Sequence, residues 1–112
     1  KVQGYLTVVL MHWGEEYQTK SNATQQKLAR EFVDAGADLI VGHHPHVPQE
    51  IEEHGKGWIV YSLGNFVFDQ NFSEETMKGL VVEVEIKNGE VVKVKPREIE
   101  INATFQPQLT SN

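Results

Sequence analysis

Histidines follow two apolar segments of the chain, and their spacing is typical of metal-binding residues. The motif His43-His44-Pro45-His46 comes directly after the apolar residues 39–42, and His12 comes directly after the apolar residues 5–11. Imidazole is a common ligand of borderline divalent metals, and two histidines one residue apart can face one site from a tight loop. Pro45 fixes its own φ and restricts the residue before it, which lowers the entropy lost when the loop orders. The pattern predicts metal contact by His44 and His46, with His12 as a third ligand if it lies nearby.

Other interpretations of the same polar residues stay open. A hydrogen-bonded turn with surface histidines would show the same motif, and a single histidine at a strand end is often only a polar terminator. His54 lies in a glycine-rich turn and is predicted to be solvated. Glu15 and Glu16 can be ligands, can orient a histidine, or can be loop charges.

Two aromatic residues follow His12. Trp13 and Tyr17 either line a groove for a polymer or cover the end of the core. Of the two interpretations, we favour a core position for Trp13.

The elements that must position these histidines form a strand–helix–strand unit. Residues 5–12 are predicted to be a strand buried on both faces, because the run is short, apolar and rich in β-formers. Ser21 or Asn22 can cap a helix that begins near residue 23, and Gly36 is a natural stop. Residues 38–42 form the next strand. Such a crossover usually joins parallel neighbours, so both histidine loops are predicted at the carboxyl edge of the sheet, where ligands of open α/β sheets bind.

The rest of the chain reads as hairpins. Residues 49–61 are predicted to form one hairpin, and residues 80–95 a second with a turn at Asn88-Gly89. For the second turn we favour a three-residue loop, which would pair Val84 with Val92 and keep the apolar face uniform. Residues 71–78 are predicted to be a loop or a short helical turn. The tail from residue 105 is predicted to be frayed.

Composition bounds the function class. At 112 residues the chain has room for one domain with a modest core. It has no cysteine, which excludes disulfides and thiolate metal sites. A formal charge of -6 argues against a general nucleic-acid binder. No apolar run has the length needed to cross a bilayer, and no targeting segment is visible. Because the chain begins at Lys1 with an apolar strand almost at once, we expect it to be a piece of a longer protein.

Three blocks of sequence stand in a fixed order: HWGEEY at residues 12–17, AGADLIVGHHPHVPQ at residues 35–49, and YSLGNFVFDQ at residues 61–70. They resemble the CapA family of bacterial poly-γ-glutamate capsule proteins, which is similar to the calcineurin-like metallophosphoesterases. The resemblance covers about residues 5–70, and three ordered blocks are far more specific than one motif. It implies an α/β (α+β) fold, namely the C-terminal half of a calcineurin-like β-sandwich flanked by helices. Residues 1–104 would then be the C-terminal part of such a domain, truncated upstream, and residues 105–112 the frayed tail.

The resemblance also implies roles for individual residues. In metallophosphoesterases an isolated histidine after a strand binds one metal, and a Gly-His-x-His element gives one histidine to each of two metals. His12 corresponds to the isolated ligand, and His44 and His46 to the paired element, with two Mn, Fe or Zn ions in the intact protein. His43 stands where the glycine is usual and is expected to pack in the loop or support the ligands. Three further residues in the blocks are candidates for substrate contact or for orienting the ligands: Glu16, Tyr17 and Asn65.

The sequence also departs from the superfamily pattern. The Asp-x-His, Gly-Asp and Gly-Asn-His/Glu elements, which supply the bridging carboxylate and the other ligands, do not occur in this sequence. Gly64-Asn65-Phe66 resembles the last of them only superficially, because phenylalanine neither binds metal nor transfers a proton. We therefore expect this chain to bind divalent metal weakly or not at all and to hydrolyse nothing alone. Its catalytic residues are left unassigned.

The leading functional hypothesis is a part of a capsule (poly-γ-glutamate) biosynthesis protein with a dinuclear, metallophosphoesterase-like site, the parent being a metal-dependent hydrolase. The alternative is a non-catalytic scaffold or polymer-binding subunit of a capsule synthesis or export complex. A stand-alone β-rich binding domain would leave the placement of the histidines unexplained. The expected partners are the missing N-terminal part of the domain, an anionic polymer or phosphoester substrate, and capsule-synthesis membrane proteins, but no nucleic acid. The family resemblance implies a membrane-anchored protein at the cell surface.

Overall fold

The computed structural model describes residues 3–110, which form two sheets and one α-helix. The first sheet contains β1 (Val8–His12), β2 (Leu39–His43), β3 (Ile51–His54) and β4 (Gly57–Val60), with helix α1 (Ala23–Asp34) between β1 and β2. The second contains β5 (Lys78–Lys87), β6 (Glu90–Ile101) and β7 (Pro107–Leu109), preceded by a 3₁₀ turn (Glu75–Met77). This mixed architecture confirms the predicted α/β (α+β) class.

The first sheet has the order β1-β2-β4-β3. β2 is parallel to β1 on one side and to β4 on the other, whereas β3 is antiparallel to β4. The predicted parallel pair around the helix and the predicted hairpin of residues 49–61 are both confirmed. The carboxyl ends of β1 and β2 therefore lie at one edge of the sheet.

Helix α1 begins and ends where its capping residues predict. The side-chain oxygen of Asn22 accepts a hydrogen bond from the backbone N–H of Gln25, and the side-chain oxygen of Gln25 accepts one from the backbone N–H of Asn22. The two bonds satisfy two backbone donors that the start of a helix leaves free. Gly36 follows the helix with φ of 114°, in the left-handed region that glycine tolerates. Ala29 and Val33 on the buried face of the helix pack with the first sheet in one apolar cluster.

The second sheet covers the opposite face of the first. Val91 and Val94 of β6 pack against Leu39, Val41 and Val60. The helix, the mixed sheet and the antiparallel sheet thus form three layers, and burial on both sides explains why β2 reads as a continuous apolar run.

The predicted burial of β1 on both faces is wrong. Val8 is 51% exposed and Leu10 is 70% exposed, although the two residues pair in register with Leu39 and Val41. Register partners in parallel strands share a face of the sheet, so Val8 and Leu10 point to the side of the second sheet. That sheet covers β2 and β4 but does not extend over the edge strand.

The preferred turn of the second hairpin is also wrong. Asn88 and Gly89 form a two-residue turn, with φ of 53° and 77°, and Lys87 pairs with Glu90. A β-bulge restores the uniform apolar face. Ile86 pairs with Val91 but the preceding Glu85 pairs with Lys93, so Val92 has no register partner on β5.

The end of the chain is more ordered than predicted. Residues 107–109, expected to be frayed, form β7 and pair with residues 99–101 of β6. Residues 111 and 112 lie outside the described residues. The predicted short helical turn within residues 71–78 is confirmed by the 3₁₀ turn. Across residues 3–110, no helix is both long and apolar enough to cross a membrane.

Candidate functional site

The strand ends place His12 and the histidine motif at the same edge of the first sheet. His12 is the last residue of β1 and is the register partner of His43, the last residue of β2. Beyond the strands, the backbone N–H of Trp13 donates to the carbonyl of His43, so the two segments stay together as they leave the sheet. The sequence prediction that these histidine loops share one edge is confirmed.

The loop after β2 has an unusual backbone that is fixed from several sides. His44 has φ of 103° and His46 has φ of 63°, in the region that L-residues seldom adopt. Pro45 and Val47, which alternate with these histidines, are buried. The carbonyl of Pro45 accepts from the backbone N–H of Tyr17 at 2.7 Å, and the carbonyl of Val47 accepts from the hydroxyl of Ser62 at 2.8 Å.

The structure brings the three predicted ligand rings together, with the ring of His44 next to the other two, and we call the three rings the histidine row. The ring centroids of His12 and His44 are 4.5 Å apart, and those of His44 and His46 are 6.0 Å apart. His12 is exposed and the other two are half-buried, so solvent and solutes reach this edge. The spatial arrangement predicted for these histidines is therefore present.

Asn65 reaches the site from the loop that follows β4. Its side-chain oxygen lies 3.0 Å from Nδ1 of His46, and its side-chain nitrogen donates to the carbonyl of Thr76 at 3.0 Å and to Gln70 at 3.1 Å. Gly79 allows this arrangement, because a Cβ there would overlap the backbone carbonyl of Asn65. The sequence places Asn65 in a motif without a derived role, and the structure places it against a predicted ligand.

Aromatic side chains surround His46. Phe68 lies 5.2 Å from the His46 ring and Tyr17 lies 6.1 Å from it, and Phe72 contacts Tyr17 edge-on at 5.0 Å. All three of these aromatic residues are exposed by more than a third. Only Tyr17 was predicted at the site. The signal in the sequence that could have indicated Phe68 and Phe72 is the presence of three phenylalanines within residues 66–72.

The loop that carries Tyr17 is anchored by buried amides. Gln49 donates to the backbone carbonyls of Gln18 and Lys20, and its own side-chain oxygen accepts from Gln25. Glu50 accepts from both the hydroxyl and the backbone N–H of Ser21. Partial burial works against ionisation of Glu50, but the hydrogen bonds from Ser21, together with the Glu50 backbone N–H and the charge of Lys20, lower the pKa of that carboxyl.

His43 and Glu16, two further residues of the predicted site, also lie near the end of the first two strands. His43 is exposed and lies beside His12 in the sheet, and its backbone carbonyl, not its ring, makes the contact described above. Glu16 is exposed in the β1–α1 loop. Desolvation and then the neighbouring Glu16 carboxylate raise the pKa of the Tyr17 phenol.

Trp13 is a core residue, as predicted: it is buried and its indole donates to the carbonyl of Tyr61.

All three predicted metal ligands of the site are imidazole side chains. Within the part of the chain that the structure describes, no group of three or more His, Cys, Asp or Glu side chains is arranged to hold a metal ion. A site of this composition presents nitrogen donors to a cation but supplies no anionic ligand of its own.

Comparison with known proteins gives one consistent result. Residues 1–70 match the family model described as "Bacterial capsule synthesis protein PGA_cap". The chain is similar to a capsule biosynthesis protein CapA of Bacillus anthracis, with 55% identity over 76 residues, which is 68% of this chain and 18% of that protein. It is similar to a PGA biosynthesis protein CapA of Bacillus subtilis (strain 168), with 51% identity over 84 residues, which is 75% of this chain and 22% of that protein.

A more distant relative is a probable polyglutamine synthesis accessory protein of Mycobacterium tuberculosis, with 33% identity over 69 residues, which is 62% of this chain and 18% of that protein. The chain spans about a fifth of the length of these curated relatives. The family match covers residues 1–70, which include both histidine loops and Asn65. The chain therefore belongs to the bacterial capsule synthesis protein family PGA_cap.

Proposed function

We propose that this chain carries the histidine part of a dinuclear, metallophosphoesterase-like centre in a protein of capsule (poly-γ-glutamate) biosynthesis. His12, His44 and His46 would hold the ions. The observation that carries the proposal is the row of three rings, 4.5 and 6.0 Å apart, at the carboxyl edge of two parallel strands. Ligand sites of open α/β sheets lie at this edge.

Of the proposed ions Mn, Fe and Zn, imidazole nitrogen suits Zn and Fe, whereas Mn would depend more on added oxygen ligands. Two imidazoles on one tetrahedral zinc ion would have ring centroids about 5 Å apart, given Zn–N distances of about 2.0–2.1 Å. The separation of His12 from His44 is close to this value, and that of His44 from His46 is somewhat wider. Bound ions would supply Lewis acidity at a phosphoryl oxygen. The chain's own part would be to present nitrogen donors from an edge that is fixed by the sheet.

The composition of the histidine row indicates a partner that would supply acidic ligands. Because the row of histidines contains no carboxylate, we propose that another part of the parent polypeptide supplies the acidic ligands. The exposed apolar residues of β1, next to His12, support a docked segment at this end of the sheet. The chain alone would then bind metal weakly and leave phosphoesters intact, and the parent would be the hydrolase.

An anionic substrate suits this centre only with the metals in place. The chain has a formal charge of -6, so without bound cations it would repel a phosphoester or a polyglutamate. Two divalent ions at the histidine row would reverse the local sign. The names of the Bacillus relatives refer to capsule and PGA biosynthesis, and by analogy we propose a role at the cell surface with capsule-synthesis membrane proteins.

A non-catalytic scaffold or polymer-binding subunit is the second candidate function. The exposed aromatic residues support it, because Tyr17, Phe68 and Phe72 offer apolar faces beside the histidines. In this alternative the aromatic surface would hold a polymer or a partner, and the histidines would add polar contacts.

The test is a titration of Zn²⁺ into the ¹⁵N-labelled chain, followed on the imidazole resonances. We expect His12, His44 and His46 to shift together. His54, which pairs with Asp34 on another part of the sheet, is the internal reference and should not shift. The variant His44→Ala should lose the response of the other two, and His54→Ala should keep it. Equal shifts of all five histidines, or no shift, would contradict the metal centre.

The same ions added to the parent protein separate the two candidate functions. A chromogenic phosphodiester and a phosphomonoester should be hydrolysed by the metal-loaded parent, and His12→Ala and His44→Ala should lower the rate. A parent that binds metal but leaves both esters intact would favour the scaffold. The 112-residue chain serves as the matched control and is expected to hydrolyse neither ester.

A further inference from the structure

The side-chain amide of Asn65 has only one orientation that satisfies its neighbours. Asn65 is 6% exposed, and one end of its amide faces the backbone carbonyl of Thr76 at 3.0 Å. A carbonyl only accepts hydrogen bonds, so the end that faces it must be the NH₂ group. The same NH₂ group donates its second proton to the side-chain oxygen of Gln70. The oxygen of Asn65 is therefore turned toward His46.

This orientation determines which nitrogen of His46 carries the proton. The Asn65 oxygen lies 3.0 Å from Nδ1 of His46, and an amide oxygen accepts but cannot donate. The bond forms only if Nδ1 bears a hydrogen. In the neutral ring Nε2 is then the nitrogen with the free lone pair.

We infer that Asn65 is a positioning residue that holds neutral His46 in the Nδ1–H form and thereby presents Nε2 as the donor atom of the site. Its importance for metal binding rests on the function proposed above, but the tautomer itself does not. A histidine that binds metal through one nitrogen commonly donates its other N–H to an oxygen, which fixes the ring and raises its basicity. Here the oxygen is supplied by an amide anchored on a backbone carbonyl.

The surroundings of Asn65 keep this amide in place. Thr76 is fully buried within the 3₁₀ turn, and its backbone N–H and its hydroxyl are both hydrogen-bonded to the hydroxyl of Ser73. Gly64, with φ of 73°, turns the chain into the loop, and Gly79 leaves room for the Asn65 backbone. The Thr76 carbonyl that holds the Asn65 amide is therefore itself fixed by the 3₁₀ turn.

The tautomer is measurable in the metal-free chain by long-range ¹H–¹⁵N correlation of the imidazoles. The spectra are recorded at about pH 8.5, roughly two units above the ordinary pKa of free imidazole. We expect His46 to show a protonated Nδ1 and an unprotonated Nε2. A protonated Nε2 on His46 in the wild-type chain would overturn the inference, whatever any variant shows.

Two variants test whether Asn65 is the cause. In Asn65→Ala, His46 loses its acceptor and should shift toward the Nε2–H form that unconstrained imidazole prefers. Asn65→Asp keeps an oxygen toward His46 and should retain the Nδ1–H form, although it loses the bond to Thr76. His54 should be unchanged in both. If amide dispersion shows that Asn65→Ala is unfolded, the Asp variant decides, and Nε2–H in its spectrum would overturn the inference.

A Zn²⁺ titration of the same samples separates this inference from the proposed function. Loss of the orienting oxygen should weaken Zn²⁺ binding at His46 roughly tenfold to a hundredfold in Asn65→Ala, and Asn65→Asp should restore most of it. A wild-type chain with the Nδ1–H form but no Zn²⁺ response would contradict the metal centre and leave the positioning role intact. Equal Zn²⁺ affinity in the wild-type and Ala chains, despite a changed tautomer, would contradict a role of Asn65 in metal binding.

Discussion

Residues at the site are held in backbone conformations that cost free energy. Three of the five non-glycine residues with positive φ among residues 3–110 lie here: Tyr17, His44 and His46. Each such conformation costs on the order of 1–3 kcal/mol and persists only where the surroundings impose it. Buried Pro45 and the hydrogen bond from Tyr17 to its carbonyl provide that constraint. Strain of this kind concentrates at functional sites, which agrees with the position of the histidine row.

A second set of residues fixes helix α1 to the first sheet. Arg30 donates two hydrogen bonds to the Glu52 carboxylate, at 2.8 and 2.9 Å, and the hydroxyl of Tyr61 donates a third at 2.8 Å. The bonds from Arg30 lower the pKa of Glu52, partial burial opposes them, and the bond from Tyr61 adds to the lowering. Burial and then the Glu52 carboxylate raise the pKa of the Tyr61 phenol.

The lowered pKa of Glu52 predicts acid-sensitive stability. A carboxyl group with a lower pKa in the folded state contributes its full stability above its unfolded pKa of about 4.3, and loses it as the pH falls through the folded value. We expect the urea midpoint of the wild-type chain to be constant from pH 7 to about 5 and to fall below that. In Glu52→Gln the midpoint should be lower at pH 7 and should decline less in acid.

The control for this prediction is the adjacent residue on the same strand. Glu53 is exposed, and Glu53→Gln makes the same change of charge without touching Arg30 or Tyr61. Its acid profile should match that of the wild type. Identical profiles for the two glutamine variants would show that the network does not cause the acid dependence.

The position of a site residue was predictable from the sequence where the residue directly follows a recognisable strand. His12, His44 and His46 each follow an apolar strand, so the parallel sheet alone brings them to one edge. The contact of Asn65 with His46 depends instead on the path of a loop, which two glycines and a buried threonine carbonyl decide. Phe68 and Phe72 were missed for the same reason.

At the scale of elements, the close approach of β2 and β4 depends on Gly42. A Cβ at this position would overlap the carbonyl oxygen of Tyr61 and the indole nitrogen of Trp13, which are hydrogen-bonded to each other at 2.9 Å. The glycine directly precedes His43 and the histidine loop. The hydrogen bond between the Trp13 indole and the Tyr61 carbonyl is therefore possible in this position only if residue 42 has no side chain.

Gly42→Ala should destabilise the chain by about 3 kcal/mol, at the upper end of the cost of an overpacked core. Urea unfolding would measure the loss, and the indole N–H resonance of Trp13 should shift because its acceptor is displaced. The control is Gly55→Asn in the β3–β4 turn, where a Cβ meets open space and asparagine tolerates the φ of 57°. Similar stability of the two variants would contradict the packing argument.

Element types were predicted better than the faces they bury. Hydrophobic period, caps and turn residues were enough for the helix, the parallel pair and both hairpins. They could not show that β1 lies at an edge, because an apolar run looks the same whether both faces are covered or one. They also could not show the β-bulge at Val92, since a bulge and a longer turn solve the same conflict of faces.

At the scale of the whole molecule, residues 3–110 leave one face of the edge strand β1 uncovered. The antiparallel sheet buries Leu39 and Val41 but leaves Val8 and Leu10 exposed on the same face. Contiguous exposed apolar residues beside a proposed site are typical of interaction surfaces. The chain spans about a fifth of its relatives' length, and we propose that another segment of the parent covers β1 and brings the acidic ligands with it.

Leucine-to-alanine substitutions on this one face test that proposal. Leu39 is buried, so Leu39→Ala should cost about 2–5 kcal/mol in the 112-residue chain and in the parent alike. Leu10 is 70% exposed, so Leu10→Ala should change the free energy of unfolding of the chain by less than about 0.5 kcal/mol. In the parent the same change should cost several times more, because the covering segment would lose its contact. Urea unfolding of the wild type and both variants, in the chain and in the parent, measures both effects. A parent in which Leu10→Ala is as harmless as in the chain would mean that its own polypeptide does not cover β1, and the acidic ligands would then have to reach the histidine row from another side.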